Sequence, residues 1–213
     1  MQTNTNSSTA THLTFFGDSI FDNRPYVYSD EETVGGWASR EIPRATSMRA
    51  VDGHTTENLL KILTALPEKV DPSESAVISI GGNDALQAQW VLYQPTAAVG
   101  LAFRELQPVL QTFRANYIRV LEEALKRFAV SNLRVCTIYN GVPDLPAESR
   151  TALGLFNDII TEEAGLRGIK VIDLRIVCAK PECYSEISPI EPSDHGAEQI
   201  TLAVRDSFGL KAA

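Results

Sequence analysis

The stretch that decides the fold is residues 12–23, which read His-Leu-Thr-Phe-Phe-Gly-Asp-Ser-Ile-Phe-Asp-Asn. An apolar run, Leu13–Phe16, is rich in strand formers and ends at Gly17, where the polar pair Asp18 and Ser19 follows at once. In an open parallel sheet, ligands bind at the carboxyl ends of the strands. The stretch therefore predicts a buried strand whose closing turn presents the Ser19 hydroxyl to a ligand. The simpler alternative is a turn in which Ser19 only caps the next segment.

Two later stretches repeat this arrangement. Residues 77–84, Val-Ile-Ser-Ile-Gly-Gly-Asn-Asp, form an apolar run that ends in a glycine turn with an exposed amide at Asn83. Residues 51–56, Val-Asp-Gly-His-Thr-Thr, contain a third turn around Gly53. Three such strand ends in this order resemble the SGNH (GDSL-type) hydrolase family, whose first block is the Gly-Asp-Ser that ends at Ser19. The resemblance extends over nearly the whole chain after residue 12.

The composition limits the classes of function. The chain has 213 residues, 44% hydrophobic and 22% charged, with a net charge of −8. These values are typical of a globular protein, and the negative charge argues against nucleic acid or an anionic membrane as a partner. No apolar run is long enough to cross a bilayer. We therefore expect one domain over residues 12–213, preceded by a disordered polar tail over residues 1–11. We expect a small-molecule substrate rather than a macromolecule.

The cysteines and the first residues bear on location and cofactors. Residues 1–11 lack the basic start and apolar middle of a secretory signal, which favours the cytoplasm. Cys136 lies in an apolar strand pattern, and Cys178 and Cys183 lie in a loop-like stretch without further metal ligands. An odd number of cysteines favours reduced thiols. We expect no metal and no organic cofactor.

Apolar runs typical of buried strands alternate with segments of helical periodicity. Strands are predicted over Leu13–Phe16, Ser47–Val51, Ser75–Ile80, Leu133–Tyr139 and Lys170–Leu174. Helices are predicted over Thr55–Leu66, Glu148–Leu166 and Asp194–Phe208, and a long helical region is predicted to open over Pro95–Val99 and to continue from about Pro108 to Val130. The alternation predicts an α/β fold of three layers, α/β/α, with a five-stranded parallel sheet between helices. The family resemblance implies the flavodoxin-like strand order 2-1-3-4-5.

The resemblance also implies the roles of three site residues. The family uses the serine of its first block as the nucleophile, here Ser19. Its oxyanion hole consists of the serine N–H, a glycine N–H and an asparagine side-chain amide, which correspond here to Ser19, Gly53 and Asn83. These groups fit acyl transfer, because that reaction needs a nucleophile and donors aimed at the developing oxyanion.

The general base is where this sequence departs from the family. The family ends in Asp-x-x-His, whereas residues 188–196 read Ser-Pro-Ile-Glu-Pro-Ser-Asp-His-Gly. If the Pro-Ser pair and the last glycine are used as anchors, Glu191 takes the histidine position, and His195 follows four residues later. Either residue is a candidate base, and His54 beside Gly53 is another. A carboxylate of ordinary pKa, about 4.3, would need burial to serve at neutral pH.

The sequence therefore predicts a GDSL-type esterase or lipase-like hydrolase that cleaves a carboxylic ester through a Ser19 acyl-enzyme. The alternative is a catalytically weak or silent binding protein that kept the pocket and lost the histidine base. Three aromatic residues in predicted loops, Tyr26, Tyr28 and Trp90, are candidates for lining the acyl or alcohol pocket.

Overall fold

The structure, a computed structural model, describes residues 12–67, 71 and 73–211. The tail predicted over residues 1–11 lies outside the described residues. Within them, the strands are β1 (His12–Gly17), β2 (Ala45–Met48), β3 (Glu74–Ser79), β4 (Leu133–Cys136) and β5 (Lys170–Ile172). They form one parallel sheet of five strands in the order β2-β1-β3-β4-β5. The predicted fold class and the implied strand order are confirmed.

Helices cover both faces of the sheet. They are α1 (Val34–Glu41), α2 (Thr56–Ala65), α3 (Gly82–Ala88), α4 (Val99–Leu125), α5 (Ala147–Leu166), α6 (Leu174–Val177) and α7 (Asp194–Ser207). Side chains alternate along a strand, so Leu13 and Phe15 pack with α1, α6 and α7, while Phe16 packs with α2, α4 and α5. The two apolar clusters produce the predicted three layers.

Two helices differ from the sequence prediction. The helical region predicted to open over Pro95–Val99 and to continue from about Pro108 is a single helix that begins at Val99, so Pro108 lies inside α4. Proline removes one helical hydrogen bond, but the turn before Pro108 is largely exposed, and water can satisfy the freed carbonyl. The second difference is α3, because the glycine turn that holds Asn83 continues directly into a helix. Asn83 therefore lies on a rigid first turn rather than on a loop.

The edge strand also differs from its prediction. The strand predicted over 47–51 is found at Ala45–Met48, with Ala45 paired to His12 of β1. None of its four residues is buried, so its apolar pattern is weak and only backbone pairing sets the register. Residues 49–53 instead form the connection that carries Gly53 to the carboxyl edge of the sheet.

Gly17 is the point at which β1 ends and the site begins. Its φ is +149°, and a Cβ at this position would lie 1.9 Å from the Ser79 carbonyl oxygen on the neighbouring strand. Ser79 accepts the Asp18 N–H there, at 3.2 Å. Because this contact is backbone against backbone, no side-chain rotation relieves it, and only a residue without a Cβ fits.

We expect Gly17→Ala to destabilise the protein by about 3 kcal/mol or more, since the β1–β3 pair must separate to admit the methyl group. Urea unfolding followed by circular dichroism measures the loss. Gly154→Ala is the matched control, because Gly154 lies in α5 with no atom within 4 Å of the added carbon. That variant should be neutral or up to about 1 kcal/mol more stable, since alanine favours helix. Equal stability of the two variants would contradict the close approach.

Candidate active site

A small cavity opens at the carboxyl edge of the sheet, where three strand ends meet. The loop after β1 contributes Asp18 and Ser19, α3 contributes Asn83, and the loop before α7 contributes Glu191. The remaining lining is apolar and comes mainly from the loop after β4 and from α5. The cavity volume is about 70 Å³. The structure thus brings together a hydroxyl, a carboxamide and two carboxyl groups within an apolar pocket.

A tight turn positions Ser19. The N–H groups of Phe21 and Asp22 both donate to the Asp18 carbonyl, at 3.1 and 3.0 Å. These two hydrogen bonds form a tight turn directly after β1. The Asp18 side chain accepts a hydrogen bond of 3.2 Å from the Ile20 N–H, which stabilises the same turn. Ser19 is only 6% exposed and lines the cavity. Ser19 therefore borders the cavity and has little contact with bulk water.

The loop that carries Glu191 is held on both sides. The Glu191 carbonyl accepts the Ser185 N–H at 2.8 Å, and the Glu191 N–H donates to Ser188 at 3.0 Å. The Tyr139 hydroxyl donates to the Ile190 carbonyl at 2.6 Å. This loop ends at Ser193, whose side chain caps α7. Glu191 is therefore presented to Ser19 by a fixed backbone.

The Glu191 carboxyl group is electrostatically unusual. Burial raises its pKa to about 7, the Ser19 hydroxyl lowers it by hydrogen bonding, and the charge of Asp52 raises it. Its Oε2 atom is buried and has no hydrogen-bond partner among the described residues. Near neutral pH this carboxyl group therefore exchanges its proton readily beside the Ser19 hydroxyl.

Asp18 is a second buried carboxyl group at the cavity. Burial raises its pKa to about 8, the Ile20 N–H lowers it, and the charges of Glu191 and Asp84 raise it further. Asp18 is 1% exposed, and within the part of the chain that the structure describes its Oδ2 atom has no hydrogen-bond partner. Asp18 therefore keeps its proton to a higher pH than an ordinary aspartate does.

The three histidines lie away from this cavity. His195 lies in the first turn of α7, where its Nδ1 atom is 3.3 Å from a Glu198 oxygen and its side chain is 43% exposed. His54 borders the Gly53 turn, but its ring does not line the cavity. His12 lies at the opposite end of β1 and hydrogen-bonds Ser47 at 2.8 Å. The structure therefore places Glu191, and not a histidine, at the cavity of Ser19.

Two of the three candidate oxyanion donors, Gly53 and Asn83, lie on neighbouring segments that a hydrogen bond joins. The Asn83 side-chain amide donates to the His54 carbonyl at 3.0 Å, which joins α3 to the turn that carries Gly53. This leaves the second amide hydrogen of Asn83 for another acceptor. Gly53 has φ +78°, and no atom lies within 4 Å of where its Cβ would be, so a ligand can approach its backbone closely. Gly53 itself does not line the cavity.

None of the three aromatic residues expected near the pocket lines the Ser19 cavity, and Trp90 instead borders a separate cleft on the other side of α3. Tyr28 is 75% exposed, and the Tyr26 hydroxyl donates to Asp52 at 2.8 Å. Neither lines the Ser19 cavity, whose apolar wall includes Tyr139 and Leu153. The apolar run after β4 was visible in the sequence, but helical periodicity alone does not show which α5 residues face a ligand.

The structure also bears on the predictions about metal ligands, cysteine thiols and membrane-spanning segments. The described residues contain no cluster of three or more histidine, cysteine, aspartate or glutamate side chains that could hold a metal ion. The thiols of Cys136, Cys178 and Cys183 are free and buried. Among the helices in the described ranges, none has the length and apolar character needed to span a bilayer.

The strand order and the helices on both faces define a three-layer α/β fold, with polar groups gathered at the carboxyl edge of its sheet. The chain belongs to the GDSL-like lipase/acylhydrolase family, whose sequence model matches residues 15–198. This match confirms the resemblance seen in the three motifs and supports a hydrolase. A comparison with curated protein sequences found no significant match.

Solved structures with low sequence identity share the fold. The lipase Lip_vut3 from a goat rumen metagenome has a TM-score of 0.70 at 19% identity, covering 94% of this chain and 99% of that one. An extracellular lipase from Streptomyces rimosus has a TM-score of 0.68 at 18% sequence identity, and the match covers 93% of this chain and 100% of that one. A catalytic mutant of an acetylxylan esterase from Geobacillus stearothermophilus has a TM-score of 0.64 at 17% sequence identity. This match covers 95% of this chain and 96% of that one. At these identities the likeness establishes the fold.

Proposed function

We propose that this protein is a carboxylic ester hydrolase that acts through an acyl-enzyme on Ser19, with Glu191 as the general base. One observation supports the proposal above all others. Ser19 and the Glu191 carboxyl group line the same small and mainly apolar cavity, where burial raises the pKa of that carboxyl group to about 7. A general base works best when its pKa lies near the working pH.

The proposed reaction has two halves. Glu191 takes the Ser19 proton as the Ser19 oxygen bonds to the ester carbonyl carbon, and the carbon–oxygen bond to the alcohol then breaks. Glu191 returns the proton to the departing alcohol oxygen. A water molecule then attacks the acyl carbon and loses its proton to Glu191, which gives it back to Ser19 as the acid leaves.

The negative oxygen that forms at the carbonyl needs hydrogen-bond donors. The proposed donors are the N–H groups of Ser19 and Gly53 and the side-chain amide of Asn83. The hydrogen bond from Asn83 to the His54 carbonyl supports this assignment, because it holds α3 and the Gly53 turn together. Donors fixed before substrate binds need little reorganisation during the reaction. The raised pKa of Asp18 supports the proposal too, since a protonated Asp18 adds no second negative charge beside the oxyanion.

Glu191 is preferred over His195 and His54 because only Glu191 lines the cavity of Ser19. The names of the structural neighbours, which include lipases and an acetylxylan esterase, support an ester as the substrate. A cavity of about 70 Å³ favours a short acyl group. The three free thiols favour the predicted cytoplasmic location. The proposal keeps the single domain from residue 12 and needs no metal, cofactor or nucleic-acid partner.

Covalent trapping tests the proposal. A fluorophosphonate ester should lose fluoride to the Ser19 oxygen and leave one phosphonyl group on the peptide that contains Ser19, as read by mass spectrometry. Labelling should become faster as pH rises through about 7, because Glu191 must be ionised to accept the proton. A phosphonyl group on another residue, or none at all, would contradict the proposal and favour a silent binding protein.

A further inference from the structure

The packing of α3 against α5 leaves two cavities that are neighbours. The first is the Ser19 cavity, of about 70 Å³. The second has a volume of about 50 Å³ and lies between α3, the short 3-10 helix Gln89–Tyr93, α4 and α5. On α3, Leu86 lines the first cavity and the preceding residue, Ala85, lines the second. On α5, Leu153 lines both, so its side chain forms a common wall.

The second cavity is suited to hydrocarbon. Of its ten lining residues among those described, only Gln89 and Ser149 are polar, and none is charged. A buried water needs several polar partners, and burial of methylene groups in such a space is favourable. The second cavity therefore continues the apolar character of the Ser19 cavity beyond Leu153.

The helix holds Leu153 in place. Leu153 packs against the apolar cluster on this face of the sheet, to which Phe156 and Ile160 of the same helix also belong. Phe156 follows Leu153 by three residues, so the two side chains lie on one face of α5. The common wall is therefore part of a packed helix and not of an irregular loop.

The volumes limit what the Ser19 cavity can hold. A water-sized group needs about 30 Å³, so a cavity of about 70 Å³ accepts roughly two or three carbon groups beyond the ester carbonyl. The second cavity would accept roughly two more, but the Leu153 side chain lies in between. A longer acyl chain therefore meets Leu153 before it can use the second cavity.

We propose that Leu153 sets the acyl-chain length of this hydrolase, and that its substrates are esters of straight-chain acids of about two to four carbons. The inference rests on the proposed function, because it takes the acyl group to be held on Ser19. The acyl half is assigned to this cavity because the alcohol departs halfway through the reaction, whereas the acyl group stays beside Ser19 until water attacks. An apolar space that ends at Leu153 suits the part of the ester that stays.

A series of 4-nitrophenyl esters with acetyl, butanoyl, hexanoyl and octanoyl groups tests the inference. For the wild type, kcat/KM should fall at least about tenfold from butanoate to hexanoate, because the longer chain meets Leu153. Leu153→Ala should join the two cavities and make hexanoate at least as good as butanoate, since each newly buried methylene contributes about fourfold. The ratio of hexanoate to butanoate should thus rise at least about tenfold, and an unchanged ratio would overturn the inference.

Two further variants separate the wall from a general effect on the helix. Leu155→Ala is the matched control, because Leu155 is also a partly buried leucine of α5 but lines a different pocket, between α4 and α5. It should leave the ratio of hexanoate to butanoate unchanged. Leu153→Phe should instead lower kcat/KM for butanoate relative to acetate, because the larger ring shortens the cavity. Equal effects of Leu153→Ala and Leu155→Ala on chain-length preference would contradict the role of Leu153.

A second series distinguishes the acyl half from the alcohol half. Ethyl, butyl and hexyl acetate keep the acyl group constant and lengthen the alcohol. Leu153→Ala should leave the relative rates within this series unchanged. A shift toward hexyl acetate, without a shift toward 4-nitrophenyl hexanoate, would place the alcohol at Leu153 and overturn the inference.

Binding provides a measurement that needs no turnover. In the Ser19→Ala protein, calorimetry should show that butanamide binds more tightly than octanamide, and adding Leu153→Ala should strengthen octanamide binding at least about tenfold. Unchanged octanamide affinity would overturn the inference. The expected binding without any Ser19-dependent hydrolysis would support the role of Leu153 and contradict the proposed reaction alone. Ser19-dependent hydrolysis with the same chain-length preference in wild type and Leu153→Ala would leave the reaction standing and overturn the inference.

Discussion

Ser19→Ala should reduce kcat for 4-nitrophenyl acetate by at least about a thousandfold, to little more than the rate in buffer. The expectation follows from the covalent route, because without the Ser19 oxygen no acyl-enzyme forms and water must attack the ester directly. Removal of a serine nucleophile from other hydrolases has effects of this size or larger. Release of nitrophenolate, followed by absorbance, measures the rate.

The control for this variant addresses stability and non-specific hydrolysis. Ser39→Ala removes an exposed hydroxyl from α1 and should leave the rate unchanged. Ser19→Ala removes one oxygen atom from a residue that is already 6% exposed, so its urea midpoint should stay near that of the wild type. If wild type and Ser19→Ala hydrolyse the ester equally, the enzyme hypothesis fails and the silent binding protein is favoured.

Glu191→Gln should lower kcat by about 10²- to 10⁴-fold, the usual contribution of a general base. Glutamine keeps the shape of the side chain and its place in the loop, but it cannot accept the Ser19 proton. His195→Ala is the informative comparison, because His195 contacts Glu198 outside the cavity and should be dispensable. The reverse result, with His195→Ala inactive and Glu191→Gln active, would assign the base to the histidine.

The pH dependence of kcat/KM provides a second test of Glu191 as the general base. Because burial raises the pKa of Glu191 to about 7, kcat/KM of the wild type should rise as pH increases through about 7. A carboxyl group with a raised folded-state pKa binds more protons folded than unfolded between about 4.5 and 7, so its contribution to stability falls as pH rises through that window. Glu191→Gln should therefore be at least as stable as the wild type at pH 8, and its lost activity cannot be attributed to unfolding.

Much of the fold could be predicted because its signals are local. The run Leu13–Phe16 is largely apolar because β1 is covered by helices on both faces. Such a run identifies a buried strand without any knowledge of the strands that pair with it. The edge strand β2 was misplaced because its residues are only partly covered, and its register depends on pairing with β1. The sequence indicated that a helical region opens by Val99 and continues from about Pro108, but only the structure shows one helix passing through that proline, a residue that ordinarily favours a helix end.

The candidate site was only partly predictable for a related reason. Ser19 and Asn83 each follow a buried strand, so their positions at the carboxyl edge follow from the chain order. Whether Glu191 or His195 faces Ser19 depends on how one irregular loop packs against the strand ends, and four residues of chain can place a side chain on either side of a helix start. The pKa of Glu191 depends on burial by residues distant in sequence, so no local pattern reveals it.

The amino-acid sequence by itself determined the α/β class, the succession of strands and helices, and the family of hydrolases. It could do so because hydrophobic periodicity and short motifs are properties of residues that are close together in the chain. Tertiary structure alone decided that a buried glutamate, rather than a histidine, shares the cavity with Ser19, and that Leu153 lines two neighbouring cavities. The physical reason is that burial, charge compensation and proximity arise between segments far apart in the chain, and they exist only when the sheet and its helices have packed.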